Sequence, residues 1–265
     1  MEKKLLFQGK NLWYRLRGEG QPVMLVHGFG EDHRIWDEQV IQLEKRFRVI
    51  LPDLPGSGDS ELAPDVSMDN MAEALYVILQ EEEIDSIALF GHSMGGYVAL
   101  AFAEKYPNVV SALGLVHSTA YADNEEKKAT RRKGIEFIRN HGVHEFLKGI
   151  VPNLFSAATK QAYPELVTRL IDRYRNMDSY ALIAYYEAMM QRPDRTEVLK
   201  NFKRPVLFMA GEQDTVIPHD HVVQQSGLTL LSHLHVLHRS GHMGMWEEPN
   251  ECGFILEDFI KNNVL

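Results

Sequence analysis

A serine flanked by glycines lies in residues 91–96, GHSMGG, between two runs of contrasting character. Residues 87–90 are apolar and favour a strand, and residues 97–104 favour a helix. Gly-x-Ser-x-Gly in this setting predicts a sharp turn that lifts the Ser93 hydroxyl above the edge of a sheet. Glycine is needed because side chains on either side of the serine would collide in so tight a turn. The N–H of Met94, at the helix N-terminus, would then face a developing oxyanion.

A serine hydroxyl becomes a useful nucleophile only when an imidazole takes its proton and a carboxylate orients that imidazole. Asp214 follows the apolar run 205–209, and His242 follows the next strand signal, near 234–237. Because the carboxyl ends of parallel strands meet at one edge of a sheet, both side chains could converge on Ser93. Their order along the chain, Ser, Asp, His, is the one found when such a triad is built on a strand–helix sheet.

Alternating strand and helix signals predict a doubly wound, mainly parallel α/β sheet. Residues 4–8 and 11–17 flank a Gly-Lys turn and indicate an N-terminal antiparallel hairpin. A single closing helix is expected over residues 244–262. Residues 120–195 show only helical periodicity, without a strand signal. We therefore predict a core of residues 1–119 and 196–265, with a helical cap inserted at 120–195.

Charge and composition narrow the possible partners and compartment. The formal net charge of −9 predicts no binding to nucleic acid or to anionic membranes. No run approaches 18 apolar residues, the apolar start is broken at Gln8, and the single cysteine fits a reducing compartment. We expect a cytoplasmic protein, a monomer or homodimer, with Cys252 as core filler.

We expect neither a metal nor a cofactor. The histidines near the C-terminus lack the spacing of a metal site, and His233 and His235 alternate with Leu234 and Val236 as exposed strand positions do. The sequence Gly-Ser-Gly at 56–58 is not a dinucleotide fingerprint. The basic run 127–133 is interpreted as a solvated helix face, with phosphate binding as the alternative.

The chain resembles the α/β-hydrolase superfamily over nearly its whole length. The resemblance rests on five motifs in order: HGFG at 27–30, PDLPGSGDS at 52–60, GHSMGG at 91–96, GEQD at 211–214 and SGH at 240–242. It implies Ser93 as nucleophile, His242 as general base and Asp214 as the group that orients His242. It further implies an oxyanion hole formed by the backbone N–H groups of Phe29 and Met94, and a helical cap like that of small esterases and carbon–carbon bond hydrolases.

The expected activity is cleavage of a small carboxylic ester with a short to medium acyl group. Four side chains are candidates for the substrate pocket: His117 and Ser118, which end a strand beside the serine turn, and Tyr185 and Met189 of the cap. Two alternatives stay open. One is a small-molecule receptor or signalling partner with vestigial turnover. The other is a lyase or carbon–carbon bond hydrolase of the same fold, although the related lyases carry Arg where this chain has Tyr97.

Overall fold

An eight-stranded sheet forms the centre of the molecule, which a computed structural model describes over residues 1–264. Its strands are β1 Glu2–Phe7, β2 Lys10–Arg17, β3 Gln21–Val26, β4 Phe47–Pro52, β5 Ile87–His92, β6 Val110–Val116, β7 Val206–Gly211 and β8 Ser232–Leu237. They lie in the order β1-β2-β4-β3-β5-β6-β7-β8. The pairs β1–β2 and β2–β4 are antiparallel, and all the other neighbours are parallel. The predicted α/β fold is therefore confirmed.

Eleven helices occur in the part of the chain that the structure describes. They are α1 Asp37–Leu43, α2 Met68–Glu81, α3 Met94–Lys105, α4 Glu125–Ile150, α5 Ala157–Ala162, α6 Pro164–Tyr174, α7 Ser179–Gln191, α8 Thr196–Asn201, α9 His219–Ser226, α10 Gly244–Glu247 and α11 Pro249–Asn263. Short 3₁₀ helices add His33–Trp36 and Val151–Leu154. None of the helices within residues 1–264 is both long and apolar enough to cross a membrane.

The central strands of the sheet are buried on both faces, and their alternate residues enter different cores. In β3, Val23 and Leu25 lie in one apolar cluster with residues of α1 and α11. Their neighbours Met24 and Val26 lie in a second cluster with residues of α2 and α3. Such two-sided burial explains why the central strands read as continuous apolar runs in the sequence.

The chain reverses its direction of winding at β3. From β3 it moves to one side to form β4, and then returns to place β5 on the other side of β3. The carboxyl ends of β3 and β5 therefore meet at a topological switch point, where ligands of open α/β sheets bind. The HGFG segment and the serine turn follow these two strands directly, so the fold brings both to one crevice.

The N-terminal hairpin is confirmed, with Phe7 paired to Lys10, but its turn consists of Gln8 and Gly9 rather than the predicted Gly-Lys. Its turn residues Gln8 and Gly9 have φ of 51° and 76°, the left-handed backbone that suits a tight hairpin turn. Helix α2 begins after Ser67, whose hydroxyl accepts a hydrogen bond from the N–H of Asn70 at 3.1 Å. This cap explains why the helix starts at Met68.

The single closing helix predicted over 244–262 is wrong, because the structure contains two helices. Helix α10 ends at Glu247, and α11 begins at Pro249. Proline has no N–H and its ring clashes with the preceding turn, so it interrupts a helix but fits at the first helical position. The backbone of Glu248, at φ −129° and ψ 59°, makes the break between them.

The prediction that His233 and His235 form the exposed face of β8 is also wrong. Leu234 is the more exposed residue, and His233 packs its ring edge-on against Phe259 of α11, with ring centroids 5.1 Å apart. Strand β8 lies at the edge of the sheet, so neither face is as deeply covered as in the central strands. At such a position polar and apolar side chains do not separate cleanly by face.

Between β6 and β7 the described chain contains five helices, α4 to α8, and no strand. Helix α4 is bent at Gly142, whose φ of 81° is non-helical. Helices α4 and α7 lie over the carboxyl edge of the sheet, since Leu147 and Leu182 approach Gly30 and Tyr185 reaches the carbonyl of Pro55. They cover the crevice at the switch point.

The contact between β5 and β6 yields a stability prediction. Phe90 lies across Gly114, where an added Cβ would fall 2.0 Å from Cδ1 of the ring. We expect Gly114→Ala to lower the free energy of unfolding by about 1–3 kcal/mol through overpacking, and Phe90→Ala to lower it by about 3–5 kcal/mol through an internal cavity. In urea denaturation, the double variant should lose less unfolding free energy than the sum of the losses in the two single variants. Strict additivity would show that the two residues do not compete for the same space.

Candidate active site

Ser93 occupies a strained turn between β5 and α3. Its φ of 50° and ψ of −114° lie outside the regions that L-residues favour. Two glycines make this turn possible: a Cβ at Gly91 would lie 2.2 Å from the Gly95 carbonyl oxygen, and one at Gly95 would lie 2.5 Å from the carbonyl oxygens of β3 and the following loop. The Ser93 N–H donates to the carbonyl of Val116 at 2.9 Å. The turn predicted from the sequence is therefore present.

Two backbone N–H groups beside this turn have no acceptor within residues 1–264: those of Phe29 and Met94. Met94 is the first residue of α3, where backbone N–H groups carry the positive end of the helix dipole. Phe29 follows β3 at the adjacent strand end. Both positions are those predicted for an oxyanion hole.

Asp214 and His242 form a buried pair on the loops after β7 and β8. His242 Nδ1 lies 2.8 Å from Asp214 Oδ2, and the other carboxylate oxygen accepts from the N–H groups of Val216 and Ile217 at 2.8 and 2.9 Å. Burial alone would raise the pKa of Asp214, but the adjacent imidazoles outweigh it and hold that pKa far below its ordinary value. Asp214 is therefore a fixed carboxylate at neutral pH.

Ser93 and His242 border one cavity of about 320 Å³. No hydrogen bond joins Ser93 Oγ to the His242 ring among the described contacts. This bond is often long in ligand-free enzymes and shortens when the substrate is bound. The 3₁₀ helix after α4 helps to fix His242, because the backbone N–H of His242 donates to the carbonyl of Leu154 at 2.7 Å.

His117 and Ser118 do not line this cavity, so their assignment to the substrate pocket is corrected. His117 is fully buried, with its Nδ1 3.4 Å from Asp214 Oδ2 and 3.2 Å from the Gly211 N–H. Burial lowers the pKa of His117, which favours a neutral ring beside the carboxylate. Ser118 Oγ donates to the Ser93 carbonyl at 2.7 Å. His117 and Ser118 therefore contact Asp214 and the Ser93 backbone and support the site without lining the cavity.

Of the two residues of α7 predicted for the pocket, Met189 lies in the wall and Tyr185 lies outside it. Tyr185 is fully buried, and its hydroxyl bonds to Ser57 Oγ at 2.9 Å and to the Pro55 carbonyl at 2.8 Å. The wall position belongs to Tyr186, whose ring stacks on Phe29 with centroids 4.3 Å apart. One residue along a helix changes direction by about 100°, which accounts for the difference.

Sequence reasoning missed a buried ion pair at the base of the cavity. His92 Nδ1 lies 2.9 Å from Glu31 Oε2, which also accepts the Gly28 N–H at 2.6 Å. His92 Nε2 faces the backbone carbonyl of His242 at 3.1 Å. Burial opposes both charges, yet mutual attraction prevails: the pKa of Glu31 is lowered and that of His92 is raised. The pair ties the loops after β3, β5 and β8 together.

The basic run on α4 is not simply a solvated face. Lys127, Thr130 and Arg131 border the cavity. Arg131 is largely buried and bonds to Asp123 through Nε at 2.5 Å and Nη2 at 3.3 Å. Its neighbours Arg132 and Lys133 point outward and are exposed. The helix therefore presents one cationic edge to the cavity and another to solvent.

Two clusters bring three possible metal ligands within 4.8 Å of one another: His117, Asp214 and His242, and Asp32, His33 and Asp53. In the second, the Arg15 guanidinium already lies 2.6 Å from Asp53 and Arg34 pairs with Asp32 at 2.5 Å. The contacts of Asp214 are those of a carboxylate that orients an imidazole. Neither arrangement needs an ion to balance its charge.

Comparisons with known proteins agree with the fold and motifs. A family model described as alpha/beta hydrolase fold matches residues 21–133. The solved structure of a thermophilic esterase from Thermogutta terrifontis is 30% identical, with 98% of each chain covered and a TM-score of 0.93. The chain therefore belongs to the alpha/beta hydrolase family, as its motifs predicted.

Two further proteins that are similar to this chain carry different names. The enol-lactonase from Burkholderia xenovorans LB400 is 22% identical, with 98% of this chain and all of that chain covered and a TM-score of 0.90, which shows the shared fold alone. The dihydrolipoyllysine-residue acetyltransferase component of the acetoin cleaving system of Pseudomonas putida is 29% identical over 95% of this chain. The match spans 66% of that relative's length.

The buried Glu31–His92 pair predicts a pH-dependent stability. The raised pKa of His92 contributes stability that is complete below its unfolded value of about 6.5 and is lost as pH rises through the folded value. The lowered pKa of Glu31 contributes stability that is lost only as pH falls through the folded value. The difference in unfolding free energy between wild type and Glu31→Gln should thus be larger at pH 6 than at pH 9. A difference independent of pH would show that His92 is not protonated in the folded protein.

Proposed function

We propose that this chain is a serine hydrolase that cleaves small carboxylic esters through an acyl-enzyme on Ser93. The observation that carries the proposal is the arrangement around one cavity: the strained Ser93, the two unpaired N–H groups, and His242 held by Asp214. Each of these features serves acyl transfer, and together they supply nucleophile, base, orienting carboxylate and oxyanion donors.

In the first half-reaction Ser93 Oγ attacks the carbonyl carbon of the ester while its proton passes to His242 Nε2. The carbonyl oxygen becomes an oxyanion that accepts hydrogen bonds from the N–H groups of Phe29 and Met94. Asp214 stabilises the imidazolium that forms without taking the proton itself. The tetrahedral intermediate then breaks its bond to the alcohol oxygen, which leaves with the proton from His242.

In the second half-reaction water attacks the acyl-enzyme and gives one proton to His242. The new oxyanion uses the same N–H groups, and the bond from the acyl carbon to Ser93 Oγ breaks. The proton returns from His242 to Ser93, and the carboxylic acid departs. Each step forms one bond and breaks one, so the enzyme is restored with no other reactant than water.

The size of the cavity supports a small substrate. Its volume of about 320 Å³ lies at the lower end of the range for ligand sites. We assign residues 120–195 to a cap, because α4 and α7 cover the crevice and contribute Met189 and Tyr186 to its wall. Short to medium acyl esters fit such a covered site, whereas long chains would require the helices to separate.

Asp214→Asn tests the proposal. Asparagine in this position favours the wrong imidazole tautomer, so we expect kcat on a short 4-nitrophenyl ester to fall by about four orders of magnitude. Asp123, on the loop after β6, is not free to substitute, because it is engaged by Arg131 and Arg192 at 2.5 and 2.8 Å. Asp220→Asn removes an exposed carboxylate two residues beyond Pro218 and serves as the matched control, with activity close to wild type.

A loss of less than tenfold in Asp214→Asn would show that another group orients His242. A wild-type rate below about one turnover per minute across esters and thioesters would contradict the enzyme itself, since working enzymes usually reach 1 to 1,000 turnovers per second. That result, combined with a melting temperature that rises with one ligand's concentration, would favour a receptor with vestigial activity.

A further inference from the structure

One wall of the cavity is cationic, although the chain as a whole carries a net charge of −9. Lys127 and Arg131, one helical turn apart on α4, both border the cavity that contains Ser93 and His242. A positively charged wall in a negatively charged protein requires a local explanation. The contacts of Lys127 and Arg131 show that nearby carboxylates do not neutralise both charges.

Arg131 is held in a fixed orientation. Its Nε and Nη2 bond to Asp123, and its guanidinium lies 5.5 Å from the centre of the Tyr186 ring in the cavity wall. Asp123 also forms an ion pair with Arg192, whose Nη1 lies 2.8 Å from Oδ1, so one carboxylate pairs with two guanidinium groups. One net positive charge is left over, and Arg131 Nη1 makes no hydrogen bond within residues 1–264.

Lys127 has no carboxylate within 4.0 Å among the described residues. Its ammonium donates to the carbonyl of Val216, 3.0 Å away on the loop after β7, and this neutral acceptor leaves its charge intact. An ammonium has three donors, so two stay available to a ligand. Val216 itself borders the cavity, which places the ammonium at its edge.

The acidic groups around the cavity are already engaged. Glu31 pairs with His92, and Asp214 accepts from His242 and two backbone N–H groups. The remaining walls are largely apolar, with Phe29, Ile150 and Leu154 among them. Two unneutralised cations therefore face a small, largely apolar space, where a charge-assisted hydrogen bond is strong because little water competes.

We propose, building on the proposed function, that the substrate is an ester or lactone bearing a free carboxylate, which Lys127 and Arg131 bind. The free Nη1 of Arg131 and the ammonium of Lys127 offer one donor to each carboxylate oxygen. The carboxylate orients the substrate so that its reacting carbonyl lies against Ser93. The cationic wall thereby selects against neutral esters of the same length.

Matched pairs of esters test this specificity. One pair places the charge in the acyl group: mono-4-nitrophenyl glutarate against 4-nitrophenyl pentanoate. The other places it in the alcohol: 4-carboxyphenyl butanoate against phenyl butanoate. The wild type should prefer the charged member of at least one pair by about 10- to 100-fold in kcat/KM, the range expected for a charge-assisted contact. No preference in either pair would overturn the proposal.

Variants then assign the preference to the two residues. Lys127→Met and Arg131→Met should each lower the ratio of charged to neutral kcat/KM by about tenfold or more. Lys128→Met and Arg132→Met are the matched controls, because they remove the same charge from the same helix but lie outside the cavity. A ratio that falls equally in the controls would trace the preference to overall charge. If Arg131→Met does not fold, Lys127→Met alone decides.

Binding to Ser93→Ala separates this proposal from the proposed function. Calorimetry with mono-4-nitrophenyl glutarate should give an affinity that falls about tenfold or more on adding Lys127→Met and that weakens with salt. Charge-dependent binding without wild-type turnover would keep the carboxylate site and reject the hydrolase. Hydrolysis of both esters at equal kcat/KM would keep the hydrolase and reject the carboxylate site.

Discussion

The strained backbone at Ser93 is the constraint around which the site is built. A φ of 50° at a residue with a side chain is unfavourable and persists only where the surroundings enforce it. Here β5 and α3 fix both sides of the turn, Gly91 and Gly95 remove the clashes, and the Val116 carbonyl holds the Ser93 N–H. The strain places the hydroxyl at the cavity and the Met94 N–H beside it. The turn thus accepts backbone strain and holds the hydroxyl in a fixed position.

Buried charge pairs hold the loops in register with that turn. Asp214 holds the His242 ring from one side, while the Glu31–His92 pair reaches the backbone of the same residue from another. A buried charge is costly unless it is paired, so the removal of one partner disturbs more than one loop. A third carboxylate, Asp123, holds Arg131 at the wall of the same cavity. Buried charge pairs therefore fix the position of several groups around one crevice.

Local rules predicted those parts of the molecule that local sequence determines. The serine turn, the apolar strand that precedes it and the N-terminal hairpin follow from glycine positions and apolar runs within a few residues. The pocket wall did not follow, because the choice between Tyr185 and Tyr186 depends on how α7 is rotated against the sheet. The cationic edge of α4 was missed for the same reason: the basic run indicates a charged helix, but only tertiary packing shows which residues face the cavity. Pro249, by contrast, was a local signal for a helix start that was available and overlooked.

The most direct test of the central claim is covalent labelling of the folded protein by a fluorophosphonate, followed by intact-mass measurement and peptide mapping. The account predicts one adduct per chain, on Ser93, with none on Ser93→Ala and none on heat-unfolded wild type, because the reaction needs both the nucleophile and the assembled site. Labelling of Ser93→Ala at the wild-type stoichiometry, or an adduct on another side chain, would contradict it.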